Sequence, residues 1–154
     1  LRLPDLSPDA RRGRVTGVLH TLDLDHRRDL RVSKLSGGQR KRVSVGVELL
    51  SRPDVLFADE PTSGLDPALE RSLTQTFQDL TDDGSTIVVS THVMTSLDLL
   101  DKVCVLHAGH LAYMGHTSQL KNYFEVDDYA AIYTRLEQKE PREWRDRWNR
   151  LQSL

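Results

Sequence analysis

Leu35-Ser36-Gly37-Gly38-Gln39 sits just before a run of helix-forming residues, and its two glycines constrain this chain more than any other feature. Ser36 with Gln39 three residues on is a capping box, so a helix is expected from there through Arg40, Lys41, Arg42 and Val43 to about Leu50. A plain cap would avoid Gly37 and Gly38, because each glycine in a helical turn costs up to about 1 kcal/mol relative to alanine. A helix start carries unpaired N–H groups and the positive end of the peptide dipoles, and without side chains an anion can approach the backbone closely. Gly37 and Gly38 therefore point to contact with a phosphate at the helix start that Ser36 and Gln39 cap. Val43, Val47 and Leu50 recur at helical spacing and form the expected buried face. Arg40, Lys41 and Arg42 are then left towards solvent or towards the phosphate.

Val55-Leu56-Phe57-Ala58, bounded by Pro53-Asp54 and Pro61, reads as a short buried parallel strand with Asp59 and Glu60 at its C-terminal edge. Side chains alternate along an extended chain, so two adjacent carboxylates can serve different partners. Magnesium takes hard oxygen ligands and keeps most of its waters, so Asp59 alone suffices for it beside phosphate oxygens. Glu60 is left to orient or deprotonate an attacking water.

A second buried strand is expected over Thr86–Thr91 after the turn Asp82-Asp83-Gly84-Ser85, which puts His92 at its end. Ligands of open parallel sheets bind beyond the strands' carboxyl ends, so His92 and the acidic pair should share an edge. A lone histidine there is more often ordinary, but beside two carboxylates it can bond a terminal phosphate. Asp66-Pro67 caps and opens a helix reaching about Leu80, following the tight loop Ser63-Gly64-Leu65.

Taken together, LSGGQRKR, VLFADE, SGLD and His92 resemble, in order and spacing, the ATP-binding cassette family: its signature motif, its magnesium and catalytic strand, its D-loop and its switch histidine. The run from Leu35 to Asp66 is most similar to the nucleotide-binding domains of ABCG-type half transporters and bacterial relatives, some of which carry forkhead-associated domains. Ala58 departs from the usual bulkier aliphatic, and Gln39 stands where ABCG-type proteins often have glutamate. The resemblance implies an α/β fold, the three-layer sandwich of P-loop NTPases with a partly helical N-terminal segment. It implies ATP and Mg2+ as cofactors. Ser36, Gly37, Gly38 and Gln39 would contact ATP held mainly by a second cassette, identical to this one or different (a homo- or heterodimer), closing face to face. Asp59 would hold magnesium through water, Glu60 would be the general base, His92 would sense the terminal phosphate, and Asp66 would link the two active sites.

The family's phosphate-cradling GxxxxGK[ST] loop has no counterpart here, since none of Lys34, Lys41, Lys102, Lys121 and Lys139 follows a glycine. The chain is therefore expected to be a portion of a cassette, inactive alone and with the P-loop strand missing from its sheet. Residues 1–124 would be the C-terminal part of the ATPase domain, with 1–35 the remainder of its helical subdomain (a helix over 10–24) and 36–124 running from the signature past the switch. Residues 125–154 would be a helical linker towards a membrane domain, with Trp144 and Trp148 either packing on the cassette or lying at a membrane surface.

Lys102–His107 and His110–Met114 flank Ala108-Gly109 as a hairpin pattern, and Thr117–Phe124 reads as a short helix. Cys104, alone in its apolar strand, is expected to be a buried thiol, and His107, His110 and His116 are scattered by strand alternation. A net charge of −2 gives no global basic field, so no nucleic-acid partner is expected, and no apolar stretch has a membrane span's length. The expected setting is the cytoplasmic face of a membrane, as part of an ATP-driven transporter of the exporting ABCG-like group. Non-transport cassette proteins and binding-only cassettes would share the same chemistry.

Overall fold

The computed structural model describes residues Leu6–Gln152 and forms two compact units, one up to His92 and one from Val93. In the first unit, helix α1 (Pro8–Thr21) starts at Ser7, whose hydroxyl accepts from Ala10 N–H at 3.3 Å, with Pro8 in the first turn. It ends earlier than the 10–24 expected from sequence, because Asp23 turns into the left-handed region at φ 50°. Helix α2 (Gly37–Leu49) carries the full capping box: Gln39 N–H donates to Ser36 Oγ at 3.2 Å and Ser36 N–H to Gln39 Oε1 at 3.0 Å.

The buried face of α2 is not the one expected. Val47 is exposed, whereas Arg42, Gly46 and Leu49 are buried. The reason is α1: a Cβ on Gly46 would lie 2.8 Å from Leu22 Cδ1 and 3.1 Å from Val18, so only glycine lets the two helices approach this closely. Arg42, 6% exposed, donates to Leu22 O at 2.7 Å and thereby serves the carbonyl end of α1 instead of solvent or phosphate.

Strand β1 (Val55–Asp59) pairs in parallel with β2 (Thr86–Ser90), from Val55 opposite Thr86 to Asp59 opposite Ser90, and α3 (Pro67–Asp82) is the crossover. Leu73 and Phe77 of α3 pack with Leu56, Leu49, Leu22 and Leu24 into the core of this unit. The two strands were expected to be buried on both faces. Instead Val55, Val88 and above all Phe57, at 77%, are exposed, because the core covers the Leu56 side of a two-stranded sheet and, among the described residues of this unit, nothing covers the other.

The second unit is built on the antiparallel hairpin β3 (Lys102–His107) and β4 (His110–His116), joined at Ala108 and Gly109 with φ of 45° and 79°. Two positive φ values match the right-handed twist of a tight hairpin, which explains glycine at the second position. Helices α4 (Thr117–Phe124), α5 (Ala131–Glu137) and α6 (Pro141–Gln152) follow. Cys104 is exposed, correcting the buried thiol expected from sequence: the inward side of the hairpin holds Val105, Ala112 and Tyr113, while Cys104 faces outward opposite Met114. Trp144 is completely buried among Tyr123 and Phe124 and donates its indole N–H to Leu136 O at 3.1 Å. Trp148 stacks against Tyr113 and Tyr123, so both tryptophans face protein. No described helix is long and apolar enough to cross a membrane.

Candidate functional site

The end of the β1–β2 ladder places two carboxylates, a serine and a histidine together. Asp59 closes the strand opposite Ser90, whose hydroxyl donates to Asp59 Oδ1. Glu60 then leaves the strand at φ 46°, a left-handed conformation that costs a non-glycine residue energy and is tolerated where surrounding bonds enforce it. Those bonds are present: Glu60 N–H donates to Ser90 O at 3.0 Å and to Ser90 Oγ at 3.1 Å. The turn sends Glu60 to a different partner from Asp59, with both its carboxylate oxygens 2.8 Å from His92 Nδ1. An ionised carboxylate only accepts, so Nδ1 carries the proton in this pair. Both side chains remain partly open to solvent, at 38% for Glu60 and 68% for His92, which leaves room for a reactant.

The helix start of α2 joins this edge through the turn after Glu60. Lys41 Nζ donates to Ser63 O and, at 3.3 Å, to Glu60 O. Leu65 seats its Cδ2 where a side chain on Gly38 would be, 2.8 Å from that Cβ, while Gly37 has nothing within 4 Å of its own. The two glycines thus differ: Gly38 makes room for the following loop of its own chain, and Gly37 leaves the helix start open. Gln39 is engaged in the capping box. Asp66 caps α3, accepting from Ala68 and Leu69 N–H at 3.1 Å each.

Sequence reasoning placed Asp59, Glu60 and His92 at one edge and found the cap of α2, but it missed Ser90 and Lys41. Ser90 becomes visible only once the register puts it opposite Asp59. The sequence leaves Lys41 towards solvent or phosphate, and nothing in it signals that its ammonium reaches two carbonyls about twenty residues away. As to a metal, a lone Asp59 carboxylate with one oxygen already hydrogen-bonded suits magnesium, which needs few protein ligands beside phosphate oxygens. Among the described residues there is no cluster of three or more His, Cys, Asp or Glu side chains of the kind an all-protein metal cage requires.

A helix start with bare glycines set against an acidic strand end defines a nucleotide-handling α/β protein. Residues 5–63 match the family described as ABC transporter. The chain is 44% identical over 136 residues to the ABC transporter ATP-binding/permease protein Rv1747 of Mycobacterium tuberculosis, covering 87% of this chain and 16% of that protein. It is 42% identical over 92 residues to ABC transporter G family member 11 of Arabidopsis thaliana, covering 58% and 13%. Among solved structures, that of the dimeric bacterial ABC transporter cassette MJ0796 superposes with a TM-score of 0.65 at 28% identity, over 73% of this chain and 49% of that one. The chain belongs to the ATP-binding cassette family, as part of an ABC transporter ATP-binding domain with G-family relatives, and has the P-loop NTPase fold. It spans about half of that solved cassette and less than a fifth of the two relatives.

Proposed function

We propose that this chain supplies the signature helix and the hydrolytic strand edge of an ATPase that drives a membrane transporter, an exporter by its likeness to the G family. The observation that carries the reading is the pair Glu60–His92 at the end of β1, held apart from Asp59 by the left-handed turn. Glu60 takes a proton from the attacking water, and the Nδ1–H of His92 fixes the carboxylate's orientation and stands beside the terminal phosphate of ATP. Asp59, with Oδ1 committed to Ser90, would hold Mg2+ through water. The ion would supply charge neutralisation for the phosphate oxygens.

Gly37 presents the open start of α2 to the phosphate of an ATP bound mainly by a second cassette, with Ser36, Gly38 and Gln39 fixing the backbone that makes the contact. Asp66, capping α3 after the loop that Gly38 and Lys41 anchor, couples the two sites of such a dimer. The dimeric state of the solved cassette MJ0796 and the joined ATP-binding and permease parts named for the mycobacterial relative support both a second cassette and a transmembrane domain as partners. Residues 125–154 lead from the ATPase part, residues 1–124, towards that domain, at the cytoplasmic face of a membrane. Without a GxxxxGK[ST] loop in its sequence, the chain by itself turns over ATP well below roughly 1 per second.

The test is Glu60→Gln in a full-length protein containing this chain. Nucleotide binding is expected to persist while turnover falls about a hundredfold or more, as for loss of a positioned base. Unchanged turnover rules out the role given to Glu60.

A further inference from the structure

Ser90 is used at three points of the site although its side chain touches no reactant in the scheme above. Its hydroxyl donates to Asp59 Oδ1, accepts from Glu60 N–H at 3.1 Å, and its carbonyl accepts the same N–H at 3.0 Å. A hydroxyl has one proton and two lone pairs, so the bond to Asp59 commits its only proton while the oxygen accepts from Glu60 N–H. The preceding residues of β2, Val88 and Val89, have no group that could do this. Had the apolar pattern of the strand continued one step further, Asp59 would lose this restraint on its rotamer, and Glu60 N–H would keep only the carbonyl.

We infer that Ser90 is the positioning residue for the metal-binding carboxylate: its hydroxyl fixes Asp59 through Oδ1, leaves Oδ2 for a metal-bound water, and ties that choice to the backbone turn that aims Glu60. This rests on the assignment of Asp59 to the metal made above. The chemistry is that of a partner behind a metal ligand, where a hydrogen bond to a ligating carboxylate sets its orientation without touching the ion. Because one hydroxyl serves both acids, it also couples the placement of the cation to the placement of the base.

The experiment uses a full-length protein containing this chain and three variants, Ser90→Ala, Ser90→Thr and Asp59→Asn. The first readout is binding of Mn2+, as a paramagnetic stand-in for Mg2+, to the protein with ADP, followed by electron paramagnetic resonance. The second is the Mg2+ concentration giving half-maximal ATP turnover. Ser90→Ala is expected to weaken Mn2+ binding about tenfold and to raise the Mg2+ requirement in parallel, with ADP affinity in the absence of metal unchanged. Ser90→Thr keeps the hydroxyl and a strand-compatible shape, and is expected to restore both values to within about threefold of the parent. A structural role alone would alter stability in Ser90→Ala and leave the metal dependence where it was. Normal Mn2+ binding in a folded Ser90→Ala together with weakened binding in Asp59→Asn overturns the role of Ser90 while keeping Asp59 at the metal. Normal binding in Asp59→Asn overturns the assignment of Asp59 and this inference with it. Should Ser90→Ala fail to fold, a Ser90→Thr protein that folds yet loses Mn2+ affinity tenfold would equally contradict the proposal.

Discussion

Replacing Lys41 by Met removes the ammonium that bridges α2 to the turn after β1 while keeping an unbranched stem of similar length. Two hydrogen bonds are lost, to Ser63 O and to Glu60 O, both in a partly buried setting. A hydrogen bond with one charged partner contributes about 1.5–3 kcal/mol net. The two share one donor group, and the released carbonyls can be hydrated, so the loss is smaller than a sum and comes to about 2 kcal/mol. For a unit of this size that corresponds to a fall in melting temperature of about 10 °C. The assay is urea unfolding of the first unit's helical signal, with hydrogen exchange as the local probe. Exchange should accelerate most at Ser63 N–H, bonded to Glu60 O, and at Leu65 N–H, bonded to Thr62 O. Stability within about 0.5 kcal/mol of the parent, with unchanged exchange in this turn, would refute the claim that Lys41 holds it.

Two further outcomes concern the second unit. Arg147 and then Arg135 hydrogen-bond Glu125 and hold its carboxyl below the usual range, so the stabilisation is complete above the ordinary glutamate pKa and is lost as pH falls through the lowered value. Urea midpoints of the unit should therefore drop on acidification below about pH 4.5, and Glu125→Gln should flatten that part of the profile; an identical acid limb in the variant would contradict this. Trp144→Ala removes the fully buried indole and its hydrogen bond to Leu136 O, with an expected cost of about 3–5 kcal/mol, read by loss of the near-ultraviolet signal of Trp148 and its aromatic neighbours. A loss under about 1 kcal/mol would mean that α6 contributes little to the fold of this unit.

The sequence by itself determined what local chemistry specifies. Ser36 with Gln39 and Asp66 with Pro67 define helix starts through bonds to backbone groups two or three residues away, and both caps form as read. Thr117–Phe124 is bounded by neighbouring residues as well, and Ala108-Gly109 turns the hairpin for the same reason. The spacing of Asp59, Glu60 and His92 relative to two apolar runs was enough to bring them to one edge, because a parallel pair fixes where strands end.

Only the tertiary structure decided which faces are covered and which long side chains find distant partners. Arg42 and Lys41 are adjacent in sequence and alike in charge. One is buried on the end of α1 because Gly46 draws that helix close, and the other reaches the turn that carries Glu60. Ser90 is a polar strand end until the register sets it opposite Asp59. Phe57 reads as core and is exposed, and so does Cys104, because burial depends on what packs over a sheet, which no alternation pattern within the strand encodes.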